Sequence, residues 1–231
     1  MIPFLIYILI KKYNKQSRVK TSLQISNFLS GYFQIIFVSL LIILLSLIPI
    51  LSRSQNLMLN YKIVKGGDDI GWLRLERNIA GSRSTLSLIS QIRTRFFFLI
   101  TVSAKESSTF ENGKLIYSSQ FRKTNGDTKL DKQTRFVTDK YEVLENGEKQ
   151  NLTFPFIGTN LLSLYFQEPR GTDIVYCDNH ECFIKVTKTD DGGYKVKFPD
   201  GNSNIYYYRA GICCKVIISH TFYTVEVILN S

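Results

Sequence analysis

Short turn sequences restrict the fold of this chain more than any other feature, because they recur between segments rich in Val, Ile, Thr, Tyr and Phe. Asn-Gly and Asp-Gly pairs adopt positive φ angles readily and are therefore favoured at the corners of tight β-hairpins. Such turn sequences occur at residues 66–69, 111–113, 125–127, 145–147, 190–193 and 200–202. Consecutive strands joined by these corners form an antiparallel meander, so the sequence predicts a mainly β fold.

Composition excludes several other classes of protein. The chain is 44% hydrophobic and 13% aromatic, which is incompatible with intrinsic disorder. With 14 Gly and 5 Pro it is neither collagen-like nor Pro/Gly-rich, and its 4 Cys are too few for a disulfide-dense scaffold. The residues after 54 are sufficient for one globular domain.

One segment departs from the β pattern. Residues 158–167 carry a candidate cap at Thr159 or Asn160, apolar side chains at helical spacing and a proline, Pro169, just beyond the end. They predict a short buried helix. We therefore expect a curved antiparallel sheet, a half-barrel or β-barrel-like meander, whose open face this helix partly closes. The continuous apolar run at residues 96–100 predicts a strand covered on both faces.

The N-terminal segment, residues 1–54, predicts export. It contains six basic residues and no acidic residue, and residues 35–51 form an almost wholly apolar run that predicts an apolar helix. This order is typical either of a signal peptide cleaved near Ser54 or of an uncleaved N-terminal membrane anchor. Because the basic residues precede the apolar run, residues 55–231 are predicted to lie outside the cytoplasm, in the periplasm or cell envelope.

The net charge of +10 does not indicate nucleic-acid binding. Six of the surplus positive charges lie in residues 1–54, which leaves +4 for the predicted β domain, residues 55–231. That value is ordinary for a globular domain, and the glycines are isolated in turns instead of forming a phosphate-binding loop. We therefore predict no nucleic-acid partner and no cofactor.

Several motifs in residues 57–229 resemble an uncharacterised family of exported Bacteroidota proteins, a domain of unknown function. The motifs are Tyr61 with Ile70-Gly71, Phe110-Glu111-Asn112-Gly113-Lys114-Leu115, Asn125-Gly126, Leu164-Tyr165-Phe166-Gln167-Glu168-Pro169, Phe198-Pro199-Asp200-Gly201-Asn202 and Tyr206-Tyr207-Tyr208. The opening Tyr and Ile-Gly pattern is also similar to envelope proteins with the lipoprotein-carrier half-barrel fold. The resemblance implies a curved sheet around an apolar concavity and supplies no catalytic residues.

These observations favour a non-enzymatic binding or structural domain of the cell envelope. Its concave face is predicted to hold a lipid or other apolar ligand, or to pack closed and offer its rim to an envelope protein. The residues predicted to line that face are Phe96, Phe98, Ile100, Leu164, Tyr165 and Phe166. Glu168, inside the most specific motif, is predicted either to orient the chain after the helix or to face a cleft.

The segment Cys177-Asp178-Asn179-His180-Glu181-Cys182 concentrates reactive side chains within six residues. As a hairpin with a four-residue loop it places Cys177 opposite Cys182, so we predict a disulfide between them in an oxidising compartment. A zinc site is the weaker interpretation, because the usual C-x2-C spacing is absent. The alternative function is an exported hydrolase or metal-dependent enzyme that uses His180 with Asp178 or Glu181. Convergence of His180, Glu168 and Asp200 in one cleft would favour it.

Overall fold

The chain after residue 54 forms one antiparallel meander. The computed structural model describes residue 39 and residues 55–95, 98–154 and 156–230. The strands are β1 (Gln55–Lys65), β2 (Asp68–Ala80), β3 (Arg83–Arg95), β4 (Leu99–Glu111), β5 (Lys114–Thr124), β6 (Asp127–Val137), β7 (Lys140–Glu145), β8 (Glu148–Leu152), β9 (Ile174–Cys177), β10 (Cys182–Lys188), β11 (Tyr194–Lys197), β12 (Ser203–Arg209), β13 (Ile212–His220) and β14 (Tyr223–Leu229). The predicted mainly β fold is thereby confirmed.

The hairpin corners lie where the turn sequences predicted them. Between β4 and β5, for example, Asn112 and Gly113 have φ angles of 50° and 75°. Two successive positive φ values give the corner the twist that tight hairpins require, and Asn and Gly adopt them with the least steric strain. The hairpins between β5 and β6 and between β7 and β8 use Asn-Gly in the same way.

All strands belong to one sheet with the order β8-β7-β6-β5-β4-β3-β2-β1-β14-β13-β12-β11-β10-β9. The long-range step is the antiparallel pairing of β1 with β14, in which Tyr61 lies opposite Leu229. The sheet ends at β8 and β9, and no backbone ladder joins these two edges within the described residues. Side chains connect them instead: the Phe154 ring, just after β8, lies 5.9 Å from the ring of Tyr176 on β9.

A short 3-10 helix (Leu161–Tyr165) packs on the inner face of this sheet. The prediction of one short buried helix with a cap near Asn160 is confirmed, although only five residues are helical. Asn160 and Ser163 form a reciprocal capping box, in which each side chain bonds the other residue's backbone. The buried residues Leu162, Leu164 and Tyr165 attach the helix to the core.

The core lies between the helix and the inner face of the sheet. Tyr165 is packed between two buried tyrosines of the sheet, with its ring 5.7 Å from that of Tyr61 and 5.8 Å from that of Tyr206, both edge to face. The Tyr208 hydroxyl donates to the Leu164 carbonyl oxygen at 2.7 Å. Two of the motifs named above, residues 164–169 and 206–208, therefore meet at the helix.

The apolar run at residues 96–100 does not form a strand covered on both faces, so that prediction is wrong. Phe98 lies in the bend between β3 and β4 and is 62% exposed, and Leu99 at the start of β4 is 43% exposed. The register explains the difference, because Arg95, the last residue of β3, pairs with Leu99, the first residue of β4. Phe96 itself lies outside the described residues.

The predicted signal peptide or membrane anchor, residues 1–54, lies outside the described residues except for Ser39. Within the part of the chain that the structure describes, no helix has both the length and the apolar character needed to cross a membrane.

Candidate functional site

A cavity of about 220 Å³ lies between the 3-10 helix and strands β2, β3 and β4. We call it the helix–sheet cavity, and it is partly open to solvent. Its floor is apolar, formed by the buried side chains of Leu86, Phe110, Leu164 and Phe166. Its rim is polar and includes Ser84. A concave site with an apolar floor and a few polar groups at the rim is typical of small-molecule binding.

The structure places only some of the predicted lining residues at this cavity. Leu164 and Phe166 line it. The Tyr165 ring instead packs edge to face against two tyrosine rings of the core. Ile100 lies near the start of β4, the opposite end of that strand from Phe110, and Phe98 lies in the preceding bend. Neither Phe98 nor Ile100 is among the described residues that line the cavity.

Arg77 brings a positive charge to the wall of the helix–sheet cavity. It follows the inward-facing Leu75 by two positions on β2 and pairs across the strands with Leu86. Its Nη1 donates to the Phe166 carbonyl oxygen at 3.4 Å, and its guanidinium carbon lies 5.6 Å from the centre of the Phe166 ring. Its Nε is buried without a hydrogen-bond partner.

Glu168 lines the helix–sheet cavity, as one of the two alternatives predicted for it requires. Its carboxylate accepts a hydrogen bond from the Tyr194 hydroxyl at 2.8 Å and forms a 2.9 Å ion pair with Arg170. These hydrogen bonds, first that from Tyr194, lower the pKa of Glu168 and keep it ionised. The Glu168 carboxylate is therefore already paired with Tyr194 and Arg170.

A second, polar cluster lies on the inner face of β4 and β5. The Asn160 amide donates to Ser108 Oγ at 2.7 Å and to Asp178 Oδ2 at 3.0 Å. The other oxygen of Asp178 accepts a 2.6 Å hydrogen bond from the Ser118 hydroxyl. All four residues are buried. We call them the Asn160 network, and they connect the helix cap to the sheet and to the β9–β10 turn.

Lys132 on β6 adds a buried charge next to this network. Its Nζ lies 2.8 Å from a Glu145 carboxylate oxygen and 2.7 Å from one of Glu181. Burial lowers the pKa of Lys132, but hydrogen bonds to the two carboxylates outweigh this effect, so its pKa lies above the ordinary value. Gln150 of β8 also donates to Glu181. These contacts join the two edges of the sheet.

Glu106 on β4 carries a carboxyl group whose pKa is raised far above its ordinary value. Burial, reinforced by the Asp178 carboxylate, raises the pKa of Glu106 to about 7, although Arg122 and a hydrogen bond with Gln120 act in the opposite direction. Burial also raises the pKa of Asp178, against the hydrogen bonds from Ser118 and Asn160. Glu106 therefore exchanges its proton close to neutral pH.

The residues proposed for the alternative enzyme are not assembled into one cleft. His180 Nε2 lies 3.8 Å from an Asp200 carboxylate oxygen, but Asp178 and Glu181 are bound to the partners named above. Glu168 is held at the helix–sheet cavity. Across the described ranges, no three His, Cys, Asp or Glu side chains are grouped so that they could hold a metal ion.

Cys177 and Cys182 are directly opposed in the β9–β10 pairing, which confirms the predicted hairpin register. Both are thiols in the structure, as are Cys213 and Cys214. Burial raises the pKa of Cys177 to about 11 and that of Cys213 to about 12. The disulfide between Cys177 and Cys182 stays a prediction.

Sequence reasoning did not identify Arg77, Glu106 or Lys132. A signal was present, because alternate residues of a strand face the same side of the sheet. Each of the three lies an even number of positions from a buried residue of its own strand, as Arg77 lies two positions after Leu75. A charged residue at an inward position of an alternating strand is therefore a useful indicator of a functional or structural polar site.

The pKa of Glu106 predicts a specific pH dependence of stability. A glutamate with an ordinary pKa of 4.5 in the unfolded chain and a pKa of about 7 in the fold binds its proton more tightly when folded. Its contribution to stability is therefore fully present below pH 4.5 and is lost as the pH rises through 7. We measure the free energy of unfolding of Glu106→Gln and of the wild type in urea at pH 5 and pH 8. The value for the variant minus that for the wild type is expected to be about 2 kcal/mol larger at pH 8 than at pH 5.

Glu76→Gln is the matched control, because Glu76 is exposed on the neighbouring strand β2. Its difference from the wild type is expected to be the same at pH 5 and pH 8. An equally flat difference for Glu106→Gln would show that Glu106 does not carry a raised pKa.

Counting free thiols tests the predicted disulfide. Wild-type protein isolated from an exporting cell without reductant, then denatured, is expected to show about two reactive thiols out of its 4 Cys, because opposed cysteines of a hairpin can form a bond. Cys177→Ser is expected to show about three, since Cys182 loses its partner. Four reactive thiols in the wild-type protein would contradict the disulfide.

Comparison with known proteins shows which family this chain belongs to. The family described as Domain of unknown function (DUF6134) matches residues 61–230. No curated protein matches the chain significantly. A crystal structure titled as a beta-barrel-like protein of domain of unknown function DUF1849 from Brucella abortus is similar in fold, with a TM-score of 0.50 and 11% identity over 77% of this chain and 96% of that chain. The chain belongs to the DUF6134 family, a domain of unknown function.

Proposed function

We propose that this protein is an exported, non-enzymatic binding domain of the cell envelope that holds an apolar ligand in the helix–sheet cavity. The observation that carries the proposal is the apolar floor of that cavity, formed by Leu86, Phe110, Leu164 and Phe166 beneath a polar rim. Among these, Leu164 and Phe166 come from the segment that the sequence singled out for ligand binding. The family and the similar fold are compatible with a binding or structural role.

The volume of the cavity restricts the ligand. About 220 Å³ is less than the 300–1,000 Å³ typical of pockets for drug-sized molecules. We therefore propose that a single short alkyl chain, or the end of a longer one, occupies it, and not both chains of a phospholipid.

The proposal of export is based on the order of residues 1–54. This segment has six basic residues and no acidic residue, and five of the basic residues precede the apolar run. A fusion of these residues to alkaline phosphatase without its own signal is expected to be enzymatically active, because that enzyme needs oxidising conditions outside the cytoplasm. Replacing residues 41–44 of the apolar run by Asp-Lys-Asp-Lys should abolish the activity. An inactive wild-type fusion would argue against export.

Photochemical labelling tests the cavity. The full-length protein in amphipol is treated with 1-octanol that carries a diazirine, and labelled peptides are mapped by mass spectrometry. We expect labels on residues 156–169 and on β3, since these segments form the floor and rim of the cavity. Ser84→Trp places a large ring at the rim and is expected to reduce the labelling at least tenfold.

Ile89→Trp is the matched control, because Ile89 lies on the same strand and is 40% exposed, away from the cavity. Its labelling is expected to equal that of the wild type. If the wild-type protein takes no label at the cavity, or if both variants behave alike, the ligand site lies elsewhere.

A further inference from the structure

Arg77 is a cation whose environment contains no compensating anion. Among the described residues, no carboxylate lies within ion-pair distance of its guanidinium, and its only hydrogen bond is to the Phe166 carbonyl oxygen. The acidic residue among the described residues that line the cavity, Glu168, is already bound to Tyr194 and Arg170. The charge of Arg77 is therefore available to a molecule that enters the cavity.

Two other inward-facing charged residues of this domain have partners for their charges. Lys132 is buried and has two carboxylates within 2.8 Å, and Asp178 accepts hydrogen bonds from two side chains. Removing a charged group from water is costly unless it is paired, which explains these partners. Arg77 is partly buried, its Nε is shielded from water, and it lacks such a partner. The missing partner is consistent with a ligand that supplies it.

The position of Arg77 also matches the geometry of an amphipathic ligand. Leu86, its direct neighbour across the strands, belongs to the apolar floor, and Ser84 lies two residues before Leu86 at the rim. The Phe166 ring lies against the guanidinium and limits its movement. A chain on the floor would thus place its head group at Arg77 and Ser84, and the planar fork of the Arg guanidinium matches a carboxylate with two parallel hydrogen bonds.

We infer that the ligand of the helix–sheet cavity is an alkyl carboxylate, whose chain lies on the apolar floor and whose carboxylate pairs with Arg77. This inference rests on the proposed function and names the ligand class for the same site. No covalent step is involved.

Competition for the same photoreactive 1-octanol probe tests the head group in the full-length protein at pH 8. Unlabelled octanoate, 1-octanol and octylamine share the chain length and differ only in the head group. We expect octanoate to halve the labelling at a concentration at least tenfold below that of 1-octanol, because it adds an ion pair that is shielded from water. Octylamine is expected to compete less well than 1-octanol.

Substitutions then assign the preference to Arg77. In Arg77→Gln, octanoate and 1-octanol should compete equally, and a cooperative unfolding transition in urea shows that the variant is folded. Arg77→Lys keeps the charge but not the planar fork and should retain a smaller preference. Arg74→Gln is the matched control, since Arg74 is exposed on the same strand, and it should keep the full preference.

The outcomes separate the two proposals. Equal competition by octanoate and 1-octanol in the wild type, or a preference that persists in Arg77→Gln, would overturn the carboxylate assignment while the apolar site stands. Absence of any cavity labelling by the probe would overturn the proposed function itself.

Discussion

The hydrogen bonds of the Asn160 side chain connect three parts of the fold, the 3-10 helix, the inner face of the sheet and the β9–β10 turn. Asn160 caps the 3-10 helix through Ser163, reaches the sheet at Ser108 and reaches the β9–β10 turn at Asp178. Buried polar groups are costly when unpaired, so each of these contacts depends on the others. The helix forms one wall of the candidate site, and its position is therefore determined by a network that lies outside the cavity.

The network also divides the inner face of the sheet into two chemically different regions. Near β1, β2, β13 and β14 the inner face is apolar, with residues such as Leu75, Val216 and Val227 in the core. Near β4 to β8 it carries Glu106, Lys132 and the Asn160 network. The helix–sheet cavity, with Arg77 in its wall, lies at β2, β3 and β4, between these two regions.

The local parts of this structure could be predicted from sequence because their causes are local. The Asn112-Gly113 corner and its relatives follow from backbone preferences, and the cap at Asn160 follows from the pattern of residues around it. The apolar run at residues 96–100 misled the prediction, because periodicity alone does not distinguish a buried strand from an apolar segment with exposed residues such as Phe98 and Leu99. The pairing of β1 with β14, the approach of Arg77 to Phe166 and the raised pKa of Glu106 depend on tertiary contacts that no short sequence pattern encodes.

The pairing of β1 with β14 has a consequence for the order in which the domain folds. The first strand of the described domain pairs with the last, since Tyr61 lies opposite Leu229. Hairpins between neighbouring strands can form independently, but the middle of the sheet stays incomplete until β14 reaches β1. Contacts of such sequence separation slow folding, because a long loop must close before they contribute. Until then the exposed edge of β1 is the part of the nascent domain most open to pairing with a foreign strand.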